Sequence, residues 1–179
     1  MIFEQIATGG CQSYFLGCPE TRQAVVIDPE QKQIDVCLGI AAREGLRIAF
    51  LIDTHTHADH FSASREMAER LGVPVAMHSL SPSAHATMRL DDGDMVRVGN
   101  LRLQAMHTPG HTRDSICLMM ADRVFTGDTL LIGGTGRTDL PTGDADALYD
   151  SLFNRLLRLD PALRVYPAHD YKGRTVLSV

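Results

Sequence analysis

The chain has 179 residues, 44% of them hydrophobic, which suits one domain with a core that needs no disulfide staples. Acidic residues outnumber basic ones by 22 to 17, a formal charge of -5 that argues against nucleic acid as a partner, because phosphate binding calls for excess Lys and Arg. Cys11, Cys18, Cys37 and Cys117 form no CxxC pair and no disulfide framework, the usage of a reduced, intracellular protein. The N-terminus MIFEQIATGG lacks a basic region followed by an apolar run, and no stretch reaches the roughly 20 apolar residues that span a bilayer. A soluble cytoplasmic protein without a membrane partner is the expectation. Eight histidines, most of them clustered, are the compositional oddity.

In chain order, residues 2–6 and 14–16 read as short strands around Gly9-Gly10. Residues 24–27 (AVVI) are an apolar strand closed by Asp28-Pro29. Residues 34–44 carry Val36, Leu38, Ile40 and Ala41 at helical spacing, with Gly45 past the end. Residues 48–52 (IAFLI) are a buried strand that runs into Asp53-Thr54-His55. A helix is predicted over 61–71, ended by Gly72 and Pro74, and a strand over 73–77. Residues 95–98 and 101–106 flank Gly99-Asn100 as a hairpin, and residues 116–120 and 123–126 form a second around Ala121-Asp122. Residues 146–159 read as a helix with Leu148, Leu152, Leu156 and Leu159 inward, and 164–166 as a last strand. Helices alternate with strands, yet hairpins are mixed in, so two mixed sheets with helices outside fit better than one doubly wound parallel sheet.

Chemistry-bearing residues fall just past strand ends. Residues 54–60 (THTHADH) place three histidines and a carboxylate in six positions. His55 and His57 project to one side of an extended segment, and a helix starting near Asp59 turns Asp59 and His60 back to the same space. Imidazole with carboxylate suits a divalent transition metal. His111 follows the Pro109-Gly110 turn, Asp128 follows Gly127, and His169 follows Pro167-Ala168. Taken singly, each reads first as a turn or capping residue; beside the first cluster, ligation is the better reading. His107 reads as a hydrogen-bonded core residue, and His78 and His85 as surface or structural. Gly133-Gly134-Thr135-Gly136 lacks the Lys and context of a phosphate loop, so its glycines read as close backbone passage by an active site.

The order THTHADH, TPGHT, TGD, PAHDY resembles the metallo-β-lactamase superfamily, whose HxHxDH the first motif matches. The resemblance implies an αββα sandwich of two mixed sheets, spanning residues 1–179 as one domain, with a metal at one edge. Within the superfamily, GRTD at 136–139 and PAHDYKG at 167–173 are similar to persulfide (sulfur) dioxygenases. That likeness implies one Fe(II) held by His55, His111 and Asp128, and oxidation of glutathione persulfide, or a related small thiol derivative, by O2 to sulfite and glutathione. His57, Asp59, His60 and His169 would then orient the ligands or line an unused second metal position. Arg137 and Tyr171 match positions near the thiol; Arg137 either pairs with a glutathione carboxylate or holds its loop by a salt bridge. The alternative is a glyoxalase II-type thioester hydrolase with two Zn. Thr135 stands where many of these relatives carry cysteine, and the family's further C-terminal segment is expected to be short or missing after Val179. A homodimer is among the expected assemblies.

Overall fold

Runs of consecutive apolar residues, whose side chains alternate between the two faces, make two sheets that are buried on both faces. In the computed structural model, which describes residues 1–58, 61–170 and 177–178, the first sheet runs in chain order through β1 (Ile2–Thr8), β2 (Cys11–Cys18), β3 (Gln23–Ile27), β4 (Arg47–Ile52), β5 (Val75–His78) and β6 (Ala86–Leu90). β1 to β3 pair antiparallel and β3 to β6 parallel. The parallel crossovers from β3 to β4 and from β4 to β5 are made by α1 (Ile34–Arg43) and α2 (Ser64–Leu71). The second sheet holds β7 (Met95–Val98), β8 (Leu101–His107), β9 (Ile116–Met119), β10 (Arg123–Gly127), β11 (Arg164–Pro167) and β12 (Leu177–Ser178). Its pairs are antiparallel except β10 with β11, between which α3 (Ala145–Asp150) and the turns after it cross over.

Three apolar layers follow from the alternation. Phe15, Ala24, Val26 and Leu51 face α1 and α2. Tyr14, Leu16, Val25, Ile27 and Ile52 face the other way, against Ile116, Leu118, Phe125 and Tyr166 of the second sheet. Cys117, Val124 and Val165, the alternate residues of that sheet, meet Leu148, Leu152 and Leu156 of the third helical segment. The order helix, sheet, sheet, helix is the expected αββα sandwich. No helix among the described residues is long and apolar enough to cross a membrane.

Several element limits differ from the sequence reading. α2 starts at Ser64, not at 61, because the preceding residues are tied elsewhere. Ser62 Oγ donates to the Asp53 carboxylate at 3.0 Å, Ala63 N–H donates to the Pro29 carbonyl at 2.7 Å, and Phe61 is 83% exposed. β5 starts at Val75, since the Val73 N–H caps α2 on the Ala68 carbonyl. The segment over 146–159 is not one α-helix: α3 passes into a π-helical turn at Ser151–Arg155 and a 3-10 turn at Leu156–Arg158. β6 was not foreseen, because Ala86–Leu90 is half exposed and its alternation is polar.

Arg123 lies buried on β10, with its guanidinium 4.5 Å from the Phe3 ring centroid. Asp122 accepts from it at 2.6 and 2.8 Å and also pairs with Arg164. These guanidinium contacts, Arg123 first, hold the Asp122 carboxyl below its ordinary 3.8, at about 2. A depressed folded-state pKa stabilises above 3.8, and that stabilisation is lost as the pH falls through about 2. Asp122→Asn should therefore lower Tm by about 2–4 °C at pH 7 for a chain of this size. In thermal melts, the gap to the parent should close between pH 4 and pH 2; a gap that persists at pH 2 refutes the assignment.

Candidate metal centre

Four strand ends converge at one edge of the sandwich. β4 runs into His55, β8 into the turn carrying His111, β10 into Asp128 and β11 into His169. Backbone hydrogen bonds stitch this edge together, two of them across the sheets, Ile116 N–H to the Thr54 carbonyl (2.9 Å) and Gln12 N–H to the Ala168 carbonyl (2.7 Å), and one within the second sheet, Ala168 N–H to the Gly127 carbonyl (2.9 Å).

His55, His111 and Asp128 are all buried, and each directs one ligand atom to a point where the three atoms lie within 4.8 Å of one another. His111 Nε2 is 3.5 Å and His55 Nε2 4.0 Å from Asp128 Oδ2. Hydrogen bonds on the far side of each ring fix its orientation and tautomer. His111 Nδ1 donates to the Arg137 carbonyl at 2.8 Å, and a carbonyl can only accept, so the neutral ring presents its Nε2 lone pair inward. Thr54 Oγ1 spends its proton on Asp28 Oδ2 at 2.8 Å and so accepts from His55 Nδ1 at 2.9 Å, with the same result for that ring. Asp128 Oδ1 accepts from His169 Nδ1 at 2.6 Å, which leaves Oδ2 turned towards the two histidines. Two imidazole lone pairs and one carboxylate oxygen on one side of a common point fit a divalent metal ion.

His57 sits with His55 as period-2 spacing predicts, ring centroids 4.2 Å apart, but its Nε2 goes to Asp28 Oδ1 at 3.2 Å. Burial alone would lower its pKa; the Asp28 hydrogen bond and charge, with Asp53 behind, raise it to about 9. Burial raises the Asp53 carboxyl. His57 thus joins a buried carboxylate cluster rather than the point shared by the other three. His169 reaches the site through Asp128. Asp59, His60 and Tyr171 lie outside the described residues.

A cavity of about 430 Å³ opens over His111 and Asp128, lined also by Leu131, Thr135, Arg137 and Leu140 among others. The Arg137 guanidinium pairs with both Asp139 oxygens at 2.5 and 2.6 Å, a salt bridge within its loop. His107 is not a core residue; it is half-buried, stacks on His78 at 3.9 Å, and donates from Nε2 to the Arg113 carbonyl at 2.9 Å. Packing covers His78, and His85 is exposed. The sequence reading missed Asp28 and Thr54. The available signal was that β3 and β4, as parallel neighbours, end level, so the residue after each meets the other.

The metallo-beta-lactamase superfamily pattern matches residues 7–169, and the chain belongs to that superfamily. Within it, the chain is 37% identical over 169 residues to human mitochondrial persulfide dioxygenase ETHE1, covering 93% of this chain and 66% of the relative, just under two thirds of its length. It is 35% identical over 181 residues to the hydroxyacylglutathione hydrolase of Nitrosococcus oceani, covering 96% of this chain and 67% of that one. The crystal structure of ETHE1 from Myxococcus xanthus superposes with a TM-score of 0.96 at 47% identity, over 99% of this chain and 80% of the other.

Two substitutions test the geometry. Thr54→Val keeps the shape and removes the acceptor for His55 Nδ1, so affinity for Fe(II) or Zn should fall about 10- to 100-fold in chelator competition. Unchanged affinity would mean that the hydroxyl does not orient the ring. A Cβ on Gly136 would clash with the Asp128 carbonyl oxygen and come within 2.7 Å of His111 Nδ1. Gly136→Ala should therefore also lose bound metal, measured by elemental analysis, and full loading would refute the close approach.

Proposed function

We propose that the chain is a mononuclear non-haem Fe(II) persulfide dioxygenase, with His55, His111 and Asp128 as the metal ligands. The observation that carries this reading is the set itself: two histidines and one carboxylate share a point, while His57 is engaged by Asp28. A two-histidine, one-carboxylate triad leaves coordination positions open, the arrangement of non-haem iron oxygenases. The likeness to proteins named persulfide dioxygenase supports the same reaction class. Overall, RSSH + O2 + H2O gives RSH and sulfurous acid, which ionises to sulfite; with glutathione persulfide the thiol product is glutathione.

Bound iron would supply the one-electron chemistry that lets dioxygen react with a closed-shell sulfur compound. The chain's own residues do the rest. His169 Nδ1–H holds Asp128 Oδ1, so that the carboxylate keeps one orientation as ligands exchange. The Arg137 carbonyl and Thr54 hydroxyl hold the ring protons of His111 and His55 on Nδ1, away from the metal side. Leu131 and Leu140 line the pocket and limit water around the reacting sulfur.

The second reading, a dinuclear zinc thioester hydrolase, draws on the likeness to hydroxyacylglutathione hydrolase. Elemental analysis and an oxygen electrode separate the two. The dioxygenase should carry about one iron per chain and consume O2 with glutathione persulfide, and His55→Ala or Asp128→Ala should remove both properties. Two zinc ions per chain with cleavage of a glutathione thioester and no O2 uptake would overturn the proposal.

A further inference from the structure

A second cavity of about 220 Å³ adjoins the first, and Ala58 and Leu140 line both. Thr56 and Pro82 line it from the first half of the chain, Pro141 and Arg113 from the second. Its polar groups are largely spoken for within the protein. Thr56 Oγ1 donates to Asp114 Oδ2 at 2.7 Å, and Asp114 is buried. Thr112 Oγ1 bonds Ser115 Oγ at 2.8 Å, and Thr142 Oγ1 accepts from the Arg113 N–H at 3.4 Å. Pyrrolidine rings, methyl groups and the Leu140 side chain remain to meet a ligand.

Arg113 is the exception. It is exposed, and its guanidinium makes no hydrogen bond or ion pair among the described residues. Arg137, the cation of the first cavity, is already paired with Asp139. The backbone of Arg113 is anchored, because its carbonyl accepts from His107 Nε2 and His107 is stacked on His78. The stacked histidine pair thus fixes the base of this cation, which is unpartnered among the described residues, and a fixed base reduces what binding must spend on ordering.

We propose that this second cavity is the seat of the thiol carrier, and that the carrier it takes has an apolar body ending in a carboxylate held by Arg113. The proposal rests on the persulfide reading of the metal pocket: a sulfur beside His55, His111 and Asp128 sends its remainder past Ala58 and Leu140 into this cavity. Alkyl carbons are matched by Pro82, Leu140 and Pro141. A carboxylate is matched by a guanidinium fork. The peptide groups of glutathione find fewer partners along the same rings and methyls than an alkyl chain does, so glutathione is accepted there but held less tightly.

The test is calorimetric titration of the iron-loaded enzyme under nitrogen with three thiols: mercaptohexanoate, mercaptohexanol and glutathione. Mercaptohexanoate should bind about tenfold more tightly than the alcohol, a difference of about 1.4 kcal/mol, and more tightly than glutathione. Arg113→Gln should abolish the preference for the acid over the alcohol, with Tm unchanged because the side chain is exposed and its guanidinium has no hydrogen bond or ion pair among the described residues. Leu140→Asp should weaken both alkyl thiols. Equal binding of acid and alcohol, a preference that survives Arg113→Gln, tighter binding of glutathione, or no binding of either alkyl thiol would each overturn the proposal. The preference together with an absence of persulfide-dependent O2 uptake would instead sink the dioxygenase reading and leave the cavity assignment standing.

Discussion

Asp28 is a carboxylate placed where a charge should not be stable. It lies buried at the end of β3 with a left-handed backbone, φ 48°. Burying a carboxylate costs several kcal/mol unless donors replace its water. Three do: the Thr54 N–H at 2.7 Å, the Thr54 hydroxyl at 2.8 Å and His57 Nε2 at 3.2 Å. All three come from the histidine-rich segment after β4, so satisfying one charge gives that segment its shape. The same bonds set the His55 tautomer through Thr54 and take His57 out of the shared ligand point. Removing Asp28 would undo the two arrangements together, because one pair of oxygens serves both.

The sandwich makes that bond possible. Side by side and parallel, β3 and β4 bring Asp28 and Asp53 to the same level, where the Asp28 N–H also bonds the Ile52 carbonyl at 2.8 Å. Asp53 organises the other side of the segment through Ser62 and Ser64. From the second sheet, Gly127 takes φ 52°, and a Cβ there would come within 2.7 Å of Thr54 Oγ1. A side chain at 127 would thus push directly on the group that orients His55. Glycine before Asp128 lets the carboxylate of one sheet approach the imidazole of the other.

The strand pattern was legible because burial on both faces leaves apolar residues with few exceptions: Val25 and Ile27 look one way, Ala24 and Val26 the other. His55, His111 and Asp128 were legible because donor groups stand just past strand ends. The sequence could not reveal which nitrogen goes where. His57 has the same residue type, spacing and face as His55, and only the distant carboxylate of Asp28 separates their roles. The start of α2 was hidden for a similar reason: Ser62 and Ala63 are held by Asp53 and Pro29, partners remote in sequence. His78 and His107 looked unrelated at 29 positions apart, yet the second sheet lays one ring on the other at 12° between planes.

Arg137 carries the same lesson into the site. From sequence, its charge had two readings, as a partner for a glutathione carboxylate or as half of a salt bridge that holds its loop. Its guanidinium pairs with Asp139, two residues on, and both side chains are about two thirds exposed, 67% and 68%. An ion pair that open contributes little to stability, being screened by water and salt. The part of Arg137 that reaches the centre is its carbonyl oxygen, which holds the His111 ring proton. Any residue supplies a carbonyl, so what matters is where the backbone passes, and that is fixed by Gly136, whose N–H bonds the Asp128 carbonyl at 2.8 Å. The glycine-rich turn is therefore part of the centre through its path, and the side chains along it remain free to shape what enters the cavity.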